Sequence, residues 1–134
     1  MLPTVTLRTR LEQNLRNCLG RIEAARGNSG GTLVAVTKSV STEIALELAS
    51  LGAVDLGESR VQEFERKRAA FETAGVEVRW HFIGHLQRNK ARSVVRHAHA
   101  LHSVDSLRLL ETVARLGAEI GRAPKIFLQV KLND

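Results

Sequence analysis

Apolar residues recur along the chain with two different periods, and segments of the two kinds alternate. Residues 5–26 place leucine and isoleucine at helical spacing between arginine, glutamate and asparagine, which predicts an amphipathic helix. Residues 33–36, the longest unbroken apolar run, follow a Gly-Gly pair and precede serines and a threonine. A run of this kind predicts a strand buried on both faces, as parallel sheets require.

The same alternation continues to the end of the chain. Further strands are predicted at 54–58, 76–83, 100–104 and 126–130, and helices at about 42–51, 60–73, after Gly84, and 107–120. A helix followed by four β-α units and a last strand is typical of right-handed crossovers in an α/β fold with a parallel sheet.

Two architectures fit this order, an open doubly wound sheet and part of a (β/α)8 barrel of the TIM type. A whole barrel needs about 250 residues. We therefore expect residues 1–134 to form a single domain with about five of the eight strands, preceded by an N-terminal helix.

Lys38 stands where the first predicted strand ends. In an α/β barrel the carboxyl ends of the strands carry the chemistry. A lysine held there beside an apolar core favours the neutral amine and can act as a nucleophile towards carbonyls. The alternative is that Lys38 is simply the first solvated residue after a strand, as most lysines are.

Charge raises the question of a polyanionic partner, since 20 Lys and Arg outnumber 14 Asp and Glu for a net charge of +6. The densest basic stretch, 88–92, has no interleaved aromatic side chains for stacking on bases, and the chain has no zinc-finger, RNA-recognition or basic-zipper signature. The pattern favours a solvated helix face and argues against nucleic-acid binding.

The remaining features of the composition bear on the cellular compartment and on metal binding. A single cysteine, no signal-peptide core and no long apolar run predict a cytoplasmic protein without a membrane segment. His81 and His85 stand four residues apart, but the residues between them are predicted as strand and turn. We therefore predict no metal site.

Four segments together identify a family. They are 33–38 (LVAVTK), 56–63 (LGESRVQE), 80–90 (WHFIGHLQRNK) and 101–105 (LHSVD), and each ends a predicted strand. In these segments the chain closely resembles the pyridoxal phosphate homeostasis proteins, formerly described as alanine-racemase-like. The resemblance runs from the first helix to the last residue.

The resemblance implies a barrel like the N-terminal domain of alanine racemase, of which this chain is the N-terminal portion. It implies pyridoxal 5′-phosphate (PLP) held as a Schiff base on Lys38, with Ser59, His81 and Gly84 as further cofactor neighbours at the rim. Family members are regarded as PLP carriers or regulators of vitamin B6 and amino-acid pools without established turnover. No catalytic residue is therefore assigned.

Two departures from the family pattern bear on the site. Ser59 stands where the family usually has asparagine, and the chain stops at Asp134, before the strands whose serine- and glycine-rich loops grip the cofactor phosphate in the family. The chain is either a fragment of a longer protein or a truncated product. In both cases the first and fifth strands would be open edges, so we expect the chain alone to self-associate, to aggregate or to rearrange into a flatter sheet with helices on both sides. Because the phosphate-gripping loops are missing, we also expect the chain alone to bind PLP weakly.

Two other functions remain as alternatives. A PLP-dependent amino-acid racemase or decarboxylase would need a general base on the far face of the cofactor, and the sequence offers no candidate. A basic nucleic-acid-binding module would be recognised by salt-sensitive binding.

Overall fold

The alternation of helices and strands is present in the computed structural model, which describes residues 5–132. The helices are Leu7–Arg26 (α1), Thr42–Ser50 (α2), Val61–Ala74 (α3), Ala91–His97 (α4) and Leu107–Ile120 (α5), and a 3₁₀ turn at Arg88–Lys90 leads into α4. The strands are Ala35–Val36 (β1), Asp55–Glu58 (β2), Arg79–Phe82 (β3), Ala100–Val104 (β4) and Lys125–Leu128 (β5).

Short side chains define where the helices begin. The hydroxyls of Thr6, Ser41 and Ser106 each accept a hydrogen bond from the backbone N–H three residues later, which caps α1, α2 and α5. Helices α3 and α5 end at Gly75 and Gly121, whose φ angles of 68° and 77° lie in the left-handed region. Glycine reaches this region without the steric cost that a Cβ imposes.

The five strands lie side by side in chain order, β1-β2-β3-β4-β5, and every neighbouring pair is parallel. Right-handed crossovers in a sheet whose order never reverses place every connecting helix on the same face. A doubly wound sheet, in contrast, reverses its order at a switch point. The fold class is therefore confirmed as α/β with part of a TIM-type barrel.

The hydrophobic core fills the layer between this sheet and the helices. Phe64 and Phe71 of α3 meet Trp80 of β3 edge to face, with ring centroids 5.9 and 5.0 Å apart, and Phe64 meets Phe82 in the same way at 5.9 Å. Edge-to-face pairs add to the gain from apolar burial. The outward-facing residues of β3 thus hold α3 against the sheet.

Two strands differ from their sequence predictions. Residues 33–36 were expected to form a strand buried on both faces, but only Ala35 and Val36 join the ladder and Val36 is 49% exposed. In the described part of the chain β1 pairs with β2 alone, and its inner face is open. The strand predicted at 76–83 begins only at Arg79, because the Val76 N–H donates to the Phe71 carbonyl and closes the end of α3.

Strand β5 forms the second edge of the sheet, as the strand order predicted. Its residues Phe127 and Leu128 are exposed, and so is Val130 beyond it. An exposed apolar edge offers unpaired backbone groups to another chain. None of the helices in residues 5–132 is both long enough and apolar enough to cross a membrane.

We predict that the isolated 134-residue chain associates through β5. Replacing Leu128, which is 66% exposed, with lysine puts a charge on this edge and should shift the chain towards monomer. Sedimentation velocity over a range of concentrations measures the effect. Leu19→Lys, on the exposed side of α1, is the matched control and should leave association unchanged. A parent chain that stays monomeric at every concentration would contradict the prediction.

Candidate functional site

Lys38 lies on a tight turn at the carboxyl end of β1. The Val40 N–H donates to the Thr37 carbonyl at 3.2 Å, so Lys38 is the second residue of a four-residue turn. Its side chain is exposed, and the ion pairs found within residues 5–132 do not include it. The sequence predicted that the core would shield Lys38 from water, but the side chain is exposed at the rim and has no carboxylate partner among residues 5–132.

Ser59 and Gly84 meet at the same rim, after β2 and β3. A Cβ on Gly84 would lie 1.9 Å from the Ser59 carbonyl oxygen, so only glycine permits this approach. The Ser103 hydroxyl donates to the Gly84 carbonyl and holds the second turn in place. Val36 pairs with Gly57 at the end of β1, so the turn with Lys38 and Ser59 after β2 both follow the carboxyl ends of neighbouring strands. The structure thus brings Lys38, Ser59 and Gly84 to one edge of the sheet.

His81 lies lower, within β3, and its ring is engaged on both sides. It pairs with Gly57 in the ladder, two residues before the level of Ser59. Its Nε2 lies 2.9 Å from Asp55 Oδ1, and its Nδ1 lies 2.8 Å from His102 Nε2. The structure therefore places His81 in an inner layer below the rim, where its nitrogens are already hydrogen-bonded.

The charge of this inner layer is set by Arg79 and Asp55. The guanidinium donates to both carboxylate oxygens, from Nε at 2.8 Å and from Nη2 at 2.7 Å. These hydrogen bonds lower the pKa of Asp55 to about 2 against the opposing effect of burial, and His81 adds a smaller lowering. Burial, followed by the charge of His81, lowers the pKa of His102. Asp55 is therefore ionised and His102 neutral at neutral pH.

An open cavity of about 350 Å³ lies over this layer on the inner face of the sheet. Its lining includes Asp55, Arg79, His81, His102 and Phe127. The His102 and Phe127 rings are stacked, with centroids 4.7 Å apart and planes 15° from parallel. Within residues 5–132 no group of three or more His, Cys, Asp or Glu side chains is arranged to hold a metal ion.

A buried ion pair that the sequence did not predict lies behind the rim. Lys67 of α3 lies 2.6 Å from Glu58 of β2, and both side chains are completely buried. Breaking such a pair by removing one partner costs about 3–5 kcal/mol. The spacing of α3 contained a signal for it, because Lys67 falls between Phe64 and Phe71 on the helix face that turns inward.

We predict that the Asp55–Arg79 pair makes stability fall in acid. The folded pKa of about 2 lies below the ordinary value of 3.8, so this contribution is full above about pH 4 and is lost as the pH falls towards 2. Arg79→Met should raise the pKa of Asp55 and lower the free energy of unfolding at pH 7 by a modest amount, because the guanidinium is half exposed and water screens the pair.

Urea unfolding from pH 7 to pH 2 measures this dependence, and NMR titration follows the Asp55 carboxyl directly. Arg16→Met is the matched control, since it removes an exposed arginine that pairs with Glu12 on α1. Equal losses at pH 7 in the two variants would contradict the prediction.

Comparisons with known proteins place this geometry in context. No family model matches the chain. A pyridoxal phosphate homeostasis protein from Synechocystis sp. is 40% identical over 100 residues, which cover 75% of this chain and 45% of that protein. The structure of PipY from Synechococcus elongatus with PLP bound superposes with a TM-score of 0.72 at 39% identity, covering 85% of this chain and 54% of that one.

A more distant structure shares the fold alone. D-threonine aldolase from Filomicrobium marinum is 17% identical, with a TM-score of 0.67 over 90% of this chain and 32% of its own.

The chain spans about half the length of the curated relatives it matches. By the identity to these relatives and the shared parallel fold, the chain belongs to the pyridoxal phosphate homeostasis protein family.

Proposed function

We propose that this protein binds PLP through a covalent bond to Lys38 and serves PLP homeostasis without turning over amino acids. The observation that carries the proposal is an exposed lysine, absent from the ion pairs of residues 5–132, on the turn after β1. The same fold in PipY is described with PLP bound. The 134 residues would form one part of a larger PLP-binding (β/α)8 barrel.

The residues at the rim fit a group that carries an aldehyde. The Lys38 Nζ, when unprotonated, adds to the aldehyde carbon that PLP supplies. The carbonyl oxygen then leaves as water with the two amine protons, and a carbon–nitrogen double bond remains. Gly84 packs directly against the Ser59 backbone, and this close contact brings together the turns that follow β2 and β3 at the rim that carries Lys38.

The other predicted neighbours take different parts in this proposal. Ser59 and Gly84 would line the attached cofactor, because they follow the carboxyl ends of β2 and β3 at the rim that carries Lys38. His81 would act from below, through the layer that it forms with Asp55 and His102. It has no free ring nitrogen in this arrangement, so we assign it no direct bond to the cofactor.

We predict that Lys38 is the attachment site. Borohydride reduction of the PLP-treated protein, followed by peptide mapping, should place the label on the peptide that contains Lys38, and Lys38→Ala should abolish it. Lys90→Ala, which changes an exposed lysine in the turn before α4, is the control and should retain the label. Label on Lys90 or Lys125 with Lys38 unmodified would overturn the proposal.

We also predict that the PLP-loaded protein neither racemises nor decarboxylates common amino acids above the Lys38→Ala background. Both reactions need a group that moves a proton at the face of the cofactor opposite the lysine. Chiral chromatography and carbon dioxide release measure the two activities. Turnover at about 1 per second or faster that vanishes in Lys38→Ala would assign the protein to the enzymes instead.

The arrangement of α4 and α5 does not support the alternative of a basic nucleic-acid-binding module. Arg92 pairs with Glu119 at 2.5 Å, and Arg115 pairs with the same carboxylate at 2.9 Å. Glu119 thus partly neutralises the basic stretch predicted at 88–92. We therefore favour a solvated helix face over a nucleic-acid surface.

A further inference from the structure

We propose that Lys67 and Glu58 are positioning residues for Lys38, and that their buried ion pair fixes the peptide group from which the Lys38 side chain projects. The inference rests on the proposed function, because it takes Lys38 as the residue that bonds to PLP. Neither residue reaches the rim itself, since both side chains are completely buried between the sheet and α3.

The link between the pair and Lys38 is Thr37, the buried residue just before it. The Thr37 hydroxyl donates to Glu58 Oε1 at 2.7 Å, and its backbone N–H donates to the Gly57 carbonyl at 2.9 Å. The Thr37 carbonyl accepts from Lys67 Nζ at 2.5 Å and also from the Val40 N–H that closes the turn. This carbonyl belongs to the peptide group that joins Thr37 to Lys38, so Lys67 holds that group directly.

Strand pairing alone anchors this turn weakly. The β1 ladder consists of Ala35 and Val36, and the chain leaves it one residue before Lys38. A two-residue edge strand provides few backbone hydrogen bonds to fix the direction of the turn after it. The side chains of Glu58 and Lys67 therefore supply most of the anchoring of Thr37 that does not come from backbone–backbone hydrogen bonds.

The chemistry of the site also favours a role beyond packing. Lys67 occupies the apolar stripe of α3 between Phe64 and Phe71, where an apolar side chain would complete the same face. Replacing a buried ion pair by well-packed apolar residues is often neutral or stabilising. Glu58 Oε2 has no hydrogen-bond partner in the described part of the chain, which adds to the cost of burying this pair. The ammonium provides one contact that an apolar side chain cannot, the bond to the Thr37 carbonyl.

The pair also joins two positions of the rim. Glu58 is the last residue of β2, and Ser59 follows it directly. One ammonium thus ties the turn that carries Lys38 to the strand end that carries Ser59. We infer that this contact sets the Lys38 amine relative to the neighbours that would line the cofactor.

The test compares how fast variants attach PLP to Lys38 at equal folded fraction. The double variant Lys67→Met/Glu58→Gln removes both charges together, so that neither is left buried alone. It should attach PLP about 10-fold more slowly than the parent, with a smaller share of the reduced label on Lys38 and more on Lys90 and Lys125. Absorbance of the PLP adduct and peptide mapping after borohydride report these two quantities.

Val113→Ala is the matched control for stability alone. Val113 is buried in α5, away from the turn that carries Lys38, and its truncation should lower the melting temperature while leaving the attachment rate at the parental value. Slowing in Val113→Ala equal to that in the double variant would show a purely structural effect and would overturn the proposal.

Thr37→Val decides the question if the double variant does not fold. This change keeps the shape of the side chain and both buried charges, and removes only the hydroxyl that donates to Glu58. Slower attachment in the folded variant supports the proposal, and the parental rate overturns the positioning role that it assigns to Glu58. Failure of the proposed function would look different, because the parent protein itself would then carry no label on Lys38.

Discussion

In this structure the helices cover only one face of the sheet, and the rest of the structure depends on this constraint. The five parallel strands lie in unbroken order, and since crossovers between parallel strands are right-handed, every connecting helix lies on the same side of the sheet. Alternate residues of each strand therefore meet two different environments. Trp80 and Phe82 face the helices and form the core, whereas Arg79 and His81 face the open side and form a polar layer. Chemistry and packing are thus separated residue by residue along the same strand.

The two carboxylates of β2 show how strongly the face decides the behaviour of a charge. Asp55 points to the open side, where a half-exposed guanidinium binds it through two oxygens and water can screen the pair. Glu58 points to the helix side, where Lys67 is its only cationic partner within the described ion pairs and both side chains are excluded from solvent. The first pair keeps Asp55 ionised, and the second holds the backbone.

The sequence predicted the order of elements because amphipathic periods and turn residues are local signals. The helix of residues 107–120 and the strand of residues 100–104 were located at the limits that the structure shows. The length of β1 could not be predicted, since whether residues 33–36 are paired and covered depends on which strands flank them. Lys38, Ser59 and Gly84 were predicted at one rim because parallel strands end on the same side.

The parts of the site that the sequence did not reveal depend on contacts between distant segments. The bonds of His81 to Asp55 and His102 join three strands, and nothing in the local pattern of His81 distinguishes the rim from the layer below it. The burial of Lys67 was not predicted for a different reason. A lysine is ordinarily assigned to the solvated side of a helix, although its position between two buried phenylalanines pointed the other way.

The shortness of β1 has a consequence for how this edge of the molecule opens and closes. Within residues 5–132 β1 is an edge strand with two paired residues, and such strands are among the segments that detach first in local unfolding. Any molecule that binds only the closed arrangement stabilises it by mass action. Binding at the rim and ordering of the first strand would then be a single coupled equilibrium. The rate of amide hydrogen exchange at Val36 and Thr37 would therefore report the fraction of molecules whose site is occupied.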